Sequence, residues 1–521
     1  MKNKIEIDKK IESFELIKPK RTKWEGMWED IRKYAIPEDP KGQVFDSTAR
    51  WAREQLSSGL QGLLVNRSSA WFSVSVSKTV LETTRNEEED INNDPEVIKW
   101  CSSVNQGLLD IFHNDRSNFY SQINLFFLTL TAFGTAVFFV EADSSLSSGM
   151  FFRNIDLNEC YFEDNRLGFV DRMFRKFNLT ARIASQQFPD EKELKEKAKK
   201  TPDEEIEILH VVEEVLENKK KKFRYSSDYI DLGGQKILQS GGYDYFPFLV
   251  CRWMKEKDAW GYSPANTVLP DIKTLNIFQK MWLQAGQKKL QPTLAGPKDG
   301  YLFPLKLGAG DFNPHRNGLQ EKIYAIHDVG DLQADGLLRS ETSVLRAYYI
   351  DIFKMQKETK EMTATEVNYR TEEQMRMLSP MVGNIETELL TPLIKVTYAI
   401  ALGFGLLPGL DIPGKQTTDL GIDYISPLSR SQKSTAITAI EQVLGFFQRT
   451  GISNIYPEIY DNINFDQVLR ESFTLRGAPQ SVLRNEKEVT QIREQRSRAI
   501  REEEGPPQEE MSKGTDLGVL E

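Results

Sequence analysis

A chain of 521 residues is long enough for more than one hydrophobic core, about three domains by the usual ratio of length to domain number. Its 67 Lys+Arg against 77 Asp+Glu leave a net charge of −10, which excludes a protein that grips nucleic acid along an extended basic surface. Three widely separated cysteines, Cys101, Cys160 and Cys251, exclude a disulfide framework and a cysteine zinc site, and fit a reducing compartment.

The first residues, MKNKIEIDKKIESFELIKPKRTKW, hold no apolar run of signal-peptide length, so secretion is not expected. From 22 to 75 the pattern predicts helix, loop, helix and strand. Trp24, Met27, Trp28, Ile31 and Tyr34 fall on one helical face, and Pro37 with Pro40 closes that helix. A second helix starts in FDSTARWAREQLSSGLQGLLV with Asp46 or Ser47 as N-cap. Its small residues Ser57, Ser58, Gly59 and Gly62 would let another backbone come close. AWFSVSV, residues 70–76, reads as a strand.

The uncharged run from Ser117 to Val140 approaches the length of a membrane span, but Gly134 stops its helical pattern and TAVFFVEAD follows with β-branched and aromatic residues. The run therefore predicts a buried helix followed by a buried strand. From about 134 to 253 the period changes to that of strands: TAVFFVEAD, FFRNIDLNECYFED, FVDRMFRKFNL, EIEILHVVEEVLE, KKFRYSSDYID and FPFLVCRWM, divided by turn residues such as 164–168 and by one charged helix near 180–200. The lysines at 219–222 fall between two strands, as a solvated hairpin turn would.

After WGYSPA the helical period returns. Helices near 270–290 (Leu275, Phe278, Trp282) and 334–355 (Leu338, Val344, Tyr348, Ile352) flank a Gly/Pro-rich insert at 291–333, forming a long hairpin with an elaborate tip. Thr363 and Glu366 then make a capping box. Leu378, Met381, Val382, Ile385, Leu389, Leu393, Val396 and Ile400 continue one apolar stripe through Pro380 and Pro392, so a kink is expected at Pro380. Forty residues of such a helix would span roughly 60 Å, long for a compact domain and natural for an elongated assembly subunit. Beyond 430, AITAIEQVLGFFQ and INFDQVLRESF read as short amphipathic helices, and the acidic, Pro/Gly-containing tail as disordered.

Catalytic signals are weak. GLDIPGKQT at 409–417 approaches a phosphate-binding loop, but Gln416 stands where the magnesium-binding hydroxyl belongs and the loop follows a helix. GYSPA at 261–265 lacks the second glycine of a nucleophile elbow, and Pro264 removes an N–H there. His113, His210, His315 and His327 show no metal-ligand or triad spacing.

WEDIRKYAIPED, FDSTARWAREQLSSGLQGLL, SSAWFSV, FGTAVFFVEAD, WGYSPA and, above all, TATEVNYR followed by LSPMVGNIETELLTPLI occur in this order over most of residues 20–405. Together they resemble the portal, or head-to-tail connector, proteins of short-tailed bacteriophages. The resemblance implies an α+β chain without catalytic activity or cofactor, assembled as a dodecameric ring at one vertex of the phage head. Such a ring contacts the major capsid protein and scaffold, the terminase, and the tail adaptor with other tail proteins. Double-stranded DNA passes through it without sequence specificity, and no membrane is involved. The implied location is the virion, and the host cytoplasm during assembly.

Laid on this chain, the family's plan implies a mixed wing over 1–265, stem helices at 266–290 and 334–355, and a clip at 291–333. A tunnel loop at 356–362, a long kinked wing helix at 363–405, a crown with C-terminal helices at 406–500 and a disordered tail at 501–521 complete it. The resemblance places Lys354, Lys357, Glu358, Lys360 and Glu361 towards DNA, and Lys298, Asp299, Tyr301, Phe303 and His315 towards terminase and tail adaptor. Two other classes remain as alternatives: an enzyme using GLDIPGKQ to bind nucleotide, and a membrane-associated assembly factor using 117–140.

Overall fold

The computed structural model describes residues 2–36, 44–76, 95–143, 149–215, 223–290, 294–295, 324–325, 335–354, 377–409, 420–425, 442–443, 445–446, 449–450, 463–476, 484 and 488–496. Helix α1, Lys2–Tyr34, begins twenty residues before the segment predicted as helical and runs unbroken past an exposed Pro19. Its buried positions are Ile7, Lys10, Phe14, Ile17, Arg21, Trp24, Trp28 and Ile31, a stripe at three- and four-residue steps. Two members of that stripe are cations. Lys10 ion-pairs with the buried Asp228, while Arg21 donates to the carbonyls of Asn158 (2.7 Å) and Cys160 (2.9 Å) and to the Tyr161 hydroxyl (2.6 Å). Such partners lie far along the chain, so the local pattern alone does not mark this half of the helix as amphipathic.

Helix α2, Thr48–Leu64, follows Asp46, whose carboxylate accepts from the Thr48 N–H and hydroxyl. Ser57 is buried, but Ser58 is exposed and a Cβ on Gly62 would meet nothing, so the small face is only partly filled within the subunit. Strand β1, Phe72–Val76, pairs antiparallel with a strand at Leu420–Tyr424, bringing the far end of the chain back onto the first core. Helix α3 spans Pro95–His113.

The run expected to divide at Gly134 does so. Helix α4, Phe119–Phe133, ends at Gly134 with φ 75°, and β2, Thr135–Ala142, follows at once. Strand β2 is central in a three-stranded sheet between β3, Met150–Ile155, and β9, Phe248–Arg252. Ala136, Phe138 and Val140 face the large core built with α2, α3 and α4, while Val137 and Phe139 face a second core holding Trp24, Trp28 and Trp260. Burial on both faces explains why this strand reads as a continuous apolar run.

Strands β4 (Cys160–Asp164), β5 (Val170–Thr180), β6 (Glu205–Glu214), β7 (Tyr225–Asp231) and β8 (Lys236–Tyr243) form a five-stranded antiparallel meander. One face carries Tyr161, Phe174, Leu209, Val211 and Ile230 against Ile7, Phe14 and Ile17 of α1. At one end of the sheet, Phe177, Ile208 and Tyr229 pack with Ala181, Ala184, Phe188 and Leu194. Those last residues belong to two short helices, α5 (Ala181–Gln187) and α6 (Lys192–Lys200), where a single charged helix was expected, and to the turn between them. Strand β8 lay outside the predicted strands, since KILQSGGY lacks a sustained apolar alternation.

Short strands β10 (Met254–Lys255) and β11 (Gly261–Tyr262) lead into α7, Pro264–Leu290, which pairs with α8, Asp335–Ala347. The second helix of this hairpin is not continuous: Tyr349 adopts φ 57°, and α9, Ile350–Lys354, restarts beyond it. At the base of the insert, Leu294–Ala295 pairs antiparallel with Tyr324–Ala325. Farther on, a helical segment at 377–385 carries an exposed Pro380, then passes through a π-helical turn at Glu386–Leu390 into a helix at Thr391–Gly403. Among the described residues the long helix is therefore interrupted at 386–390, six residues past the proline expected to kink it. A helix at Phe465–Arg476 overlaps the predicted INFDQVLRESF, and 488–496 is helical as well.

Gly134 sits where two backbones cross. A Cβ there would fall inside van der Waals contact of Gly261 O and Tyr262 C, and one on Gly261 would meet Gly134 O. Replacing Gly134 by Ala combines this clash with a left-handed φ, which alone costs roughly 1–3 kcal/mol. Gly134→Ala is expected to lower the melting temperature markedly, whereas Gly62→Ala, with open space at its Cβ, leaves it unchanged or raises it; differential scanning calorimetry of the pair separates the two.

Candidate functional site

Strand β9 ends in Arg252, whose side chain is only 1% exposed. Burying a guanidinium requires that its donors be met, and they are. Its backbone N–H donates to Glu388 Oε2 at 2.7 Å, Nε reaches the same oxygen at 3.2 Å, and Nη2 ion-pairs with Glu388 Oε1. Nη1 donates to Asp164 Oδ1 at 2.9 Å and Nη2 to the Gly168 carbonyl at 2.9 Å. Burial works against the charge, but Glu388 and then Asp164 outweigh it and hold the guanidinium above its ordinary value. Lys255 completes the group, pairing with Asp164 and donating to Gly168 O at 3.0 Å.

This junction joins the end of the central sheet, the turn between β4 and β5, and the π-helical turn of the long helix. The turn is tied by its own hydrogen bonds. Asn165 accepts from the N–H groups of Leu167 (2.9 Å) and Phe169 (3.1 Å), and Gly168 takes φ 85°. Next to it, Trp253 N–H donates to Gly134 O at 2.8 Å, and Asn384 Nδ2 reaches Trp253 O at 3.4 Å. The sequence shows Arg252 as one charge inside an apolar strand, FLVCRWM, the signal by which this junction could be found.

The helical hairpin is the second feature. Helix α7 buries Val268, Ile272 and Leu275 on the subunit's core but exposes Ile277, Phe278, Met281, Trp282 and Leu283. Ser343 Oγ donates to Asp271 at 2.6 Å, fixing α8 beside it. An apolar surface of this kind is not buried within one chain.

The residues assigned by resemblance are placed only in part. Lys354 is the last residue of α9, and Pro380 is exposed on the helix at 377–385. Lys357, Glu358, Lys360, Glu361, Thr363 and Glu366 lie outside the described residues, as do Lys298, Asp299, Tyr301, Phe303 and His315. The two-residue strands at 294–295 and 324–325 bring the two ends of the insert that contains the latter five together. The near phosphate loop at 409–417 falls outside as well, except Gly409. Among the described residues no group of three or more His, Cys, Asp and Glu could hold a metal ion, and no helix is long and apolar enough to cross a membrane.

His113 bonds the carbonyls of Leu109 (2.6 Å) and Arg67 (2.8 Å). His210 is wholly buried in β6, stacked on Tyr229 with ring centroids 3.9 Å apart and bonded through Nε2 to Ser227 at 2.9 Å, and among the described residues Nδ1 has no partner. Burial, followed by the nearby Arg175, pushes the imidazole well below its ordinary pKa.

The order of the elements, a body of helices and sheets followed by a helical hairpin and an interrupted helix, accompanies a family match over nearly the whole chain. Residues 8–483 match the family described as the bacteriophage head to tail connecting protein. The chain belongs to that family. Two connector relatives are a protein named "Portal protein" from Salmonella phage epsilon15, 25% identical over 521 aligned positions (92% of this chain, 89% of that protein), and a "Probable portal protein" from Bordetella phage BPP-1, 24% identical over 518 (92% and 89%). Within this connector the Arg252 junction ties sheet, turn and long helix together, and the helical hairpin offers the exposed apolar surface.

Two outcomes are expected. Arg252→Ala leaves Glu388 without a partner in a mostly buried place and should cost about 3–5 kcal/mol. Joint replacement by Arg252→Met and Glu388→Leu should recover a large part of it, as unfolding midpoints of the three variants would show. His210 stays neutral when folded, while the unfolded chain takes up a proton near the ordinary value of about 6.5. Stability therefore falls as pH drops through that value, by up to about 1.4 kcal/mol per pH unit until the folded imidazole also titrates. His210→Phe should flatten this acid-side slope in thermal melts between about pH 7.5 and 5.5.

Proposed function

We propose that this connector is the portal subunit: copies close into a ring, twelve by the family's plan, at the unique vertex of the phage head. DNA enters through the ring during packaging and leaves through it at ejection. The ring is also the platform for head assembly on capsid protein and scaffold, for terminase docking, and later for the tail adaptor. The role is structural, with no catalysis and no cofactor, and it places the chain in the virion and, during assembly, in the host cytoplasm.

The observation that carries the ring is the face of α7. Ile277, Phe278, Met281, Trp282 and Leu283, together with the exposed Leu338 of α8, form more apolar surface than a lone subunit has reason to leave in water. Head-to-tail contacts between identical copies that close on themselves give a cyclic oligomer. We assign α7 and α8–α9 as the stem, 291–333 as the clip and 356–362 as the tunnel loop. Within the crown and C-terminal part assigned from 406, Leu407 and Leu420 belong to the main core, and residues 420–424 pair with β1.

Negative-stain images with rotational averaging should show closed rings, and a chain that stays monomeric at micromolar concentration by light scattering would refute the reading. Phe278→Glu with Trp282→Glu should shift the protein towards monomer, each buried aromatic contributing on the order of 2 kcal/mol at an interface.

The clip and loop assignments have their own tests. Deleting residues 297–318 should leave rings intact and abolish tail attachment in complementation. Deleting 356–361 should leave ring formation intact and impair completion of packaging or retention of DNA; full-length genomes held normally by that variant would sink the loop assignment.

A further inference from the structure

The π-helical turn in the long helix contains one residue more than an α-helical turn: the Thr391 N–H bonds to Glu386 O, five residues back. The extra residue has a readable effect on burial. Before the turn the stripe is Leu378, Val382 and Ile385, and a plain α-helix would continue it as Leu389, Leu393, Val396 and Ile400. After the turn both sets are buried: Leu389 and Leu393 of that continuation are at 0% exposure, and so are Leu390, Ile394, Thr397 and Ala401, one position later, while Val396 is 7% and Ile400 5% exposed. Both stripes suit a core, so the half of the helix after the turn fits its surroundings in either of two phases, about 100° apart. The half before it has no such choice. One position later than Leu378, Val382 and Ile385 stand Ser379, Gly383 and Glu386.

What selects the observed phase lies outside the helix. Glu388, inside the π turn, is held by the backbone and guanidinium of Arg252. Tyr424 Oη donates to Glu386 O at 3.4 Å, the same carbonyl that accepts the long-range helical bond, and shares a 2.6 Å hydrogen bond with Thr391 Oγ1. We propose that Glu386–Leu390 is a register joint: the long helix has a second, fully α-helical register, and the Arg252–Glu388 pair with Tyr424 holds it in the π register. Passing to the other register turns Glu388 away from Arg252 and rotates the helix at Thr391–Gly403 relative to 377–385. The rotation is carried to the chain beyond, because Leu407 is seated in the main core and the carbonyl of Pro408 accepts from Trp100 Nε1 at 2.9 Å. In this way the end of strand β9, the β4–β5 turn and the exit of the long helix are coupled through one turn.

The test is structural and independent of any role in packaging: cryo-electron microscopy of the full-length protein, in its native assembly, with three variants. Glu388→Gln removes the charge that Arg252 holds. The expected map, as the whole or as a second class of particles, shows bonds four residues apart through 386–390, with Val396 and Ile400 now deeper than Thr397 and Ala401. Tyr424→Phe should shift the helix in the same direction without disturbing a buried charge, and it decides the question alone if the Glu388 variant does not accumulate. Deletion of Thr387, which is exposed in the π turn, should yield an unbroken α-helix with the native phase on both sides. Retention of the π turn and of native burial in both point variants would overturn the proposal, and so would failure of the Thr387 deletion to fold.

Discussion

A guanidinium with 1% of its side chain in contact with solvent dictates much of what surrounds it. Taken from water alone, such a group would be too costly to bury, and its attraction to one carboxylate offsets that cost only when the remaining donors are also met. Arg252 meets this condition by drawing three separate pieces of chain to one point: Glu388 from the long helix, Asp164 from the end of β4, and the Gly168 carbonyl from the turn after it. Withdrawal of Glu388 would take away the acceptor that both the Arg252 backbone N–H and Nε use. The junction is thus better understood as fixing an arrangement than as adding net stability, because apolar groups of the same shape could stabilise the site as well.

The neighbouring crossing of Gly134 and Gly261 works by a different physics to the same end. Helix α4 must stop and β2 begin within one residue, which needs a left-handed backbone. The turn into α7 passes directly over that point, which needs the absence of a side chain. Thr135 Oγ1 then accepts from Gly261 N–H at 2.8 Å, and Ser263 Oγ donates to Ala132 O at 2.7 Å, so the crossing is tied on both sides. Ser263 also accepts from Asn266 N–H at 3.1 Å, opening α7. The start of the helical hairpin is in this way bolted to the middle of the central sheet.

These particulars show which parts of the fold are legible in the sequence. The division of the uncharged run at Gly134 is local chemistry, and it is read correctly. Most strands of the meander are also local, since EIEILHVV or FVDRMFRKF can hardly be anything else. The first twenty residues of α1 are not legible, because two of their buried positions are Lys10 and Arg21, whose partners lie at Asp228 and at 158–161. The pairing of Phe72–Val76 with Leu420–Tyr424, in which Val74 lies opposite Ile422, leaves no trace in either segment. Nor does the π turn. A stripe from Leu378 to Ile400 reads as one continuous helix because both possible phases of its second half are apolar, so periodicity cannot distinguish them. Of the candidate site, the composition of the hairpin showed its apolar face, and the lone Arg252 in an apolar strand was a signal that periodicity does not weigh.

The arrangement of charge follows from the same structure. A net charge of −10 is a modest acidic excess over 67 cationic side chains. Among the described residues several of those cations are committed inward or across layers: Lys10 to Asp228, Arg21 to carbonyls of the β3–β4 connection and the Tyr161 ring, Arg175 to Glu159, Arg252 and Lys255 to Asp164, and Lys273 to Asp30. A cation held in this way is screened by its own partner and offers little to a passing polyanion. At physiological ionic strength an exposed charge is felt over only about 8 Å. For a chain whose proposed task is to let DNA through rather than to hold it, the use of cations as internal ties is the arrangement that keeps the surface from retaining phosphate, since every phosphate neutralised by a free Lys or Arg would add to the affinity that translocation has to overcome.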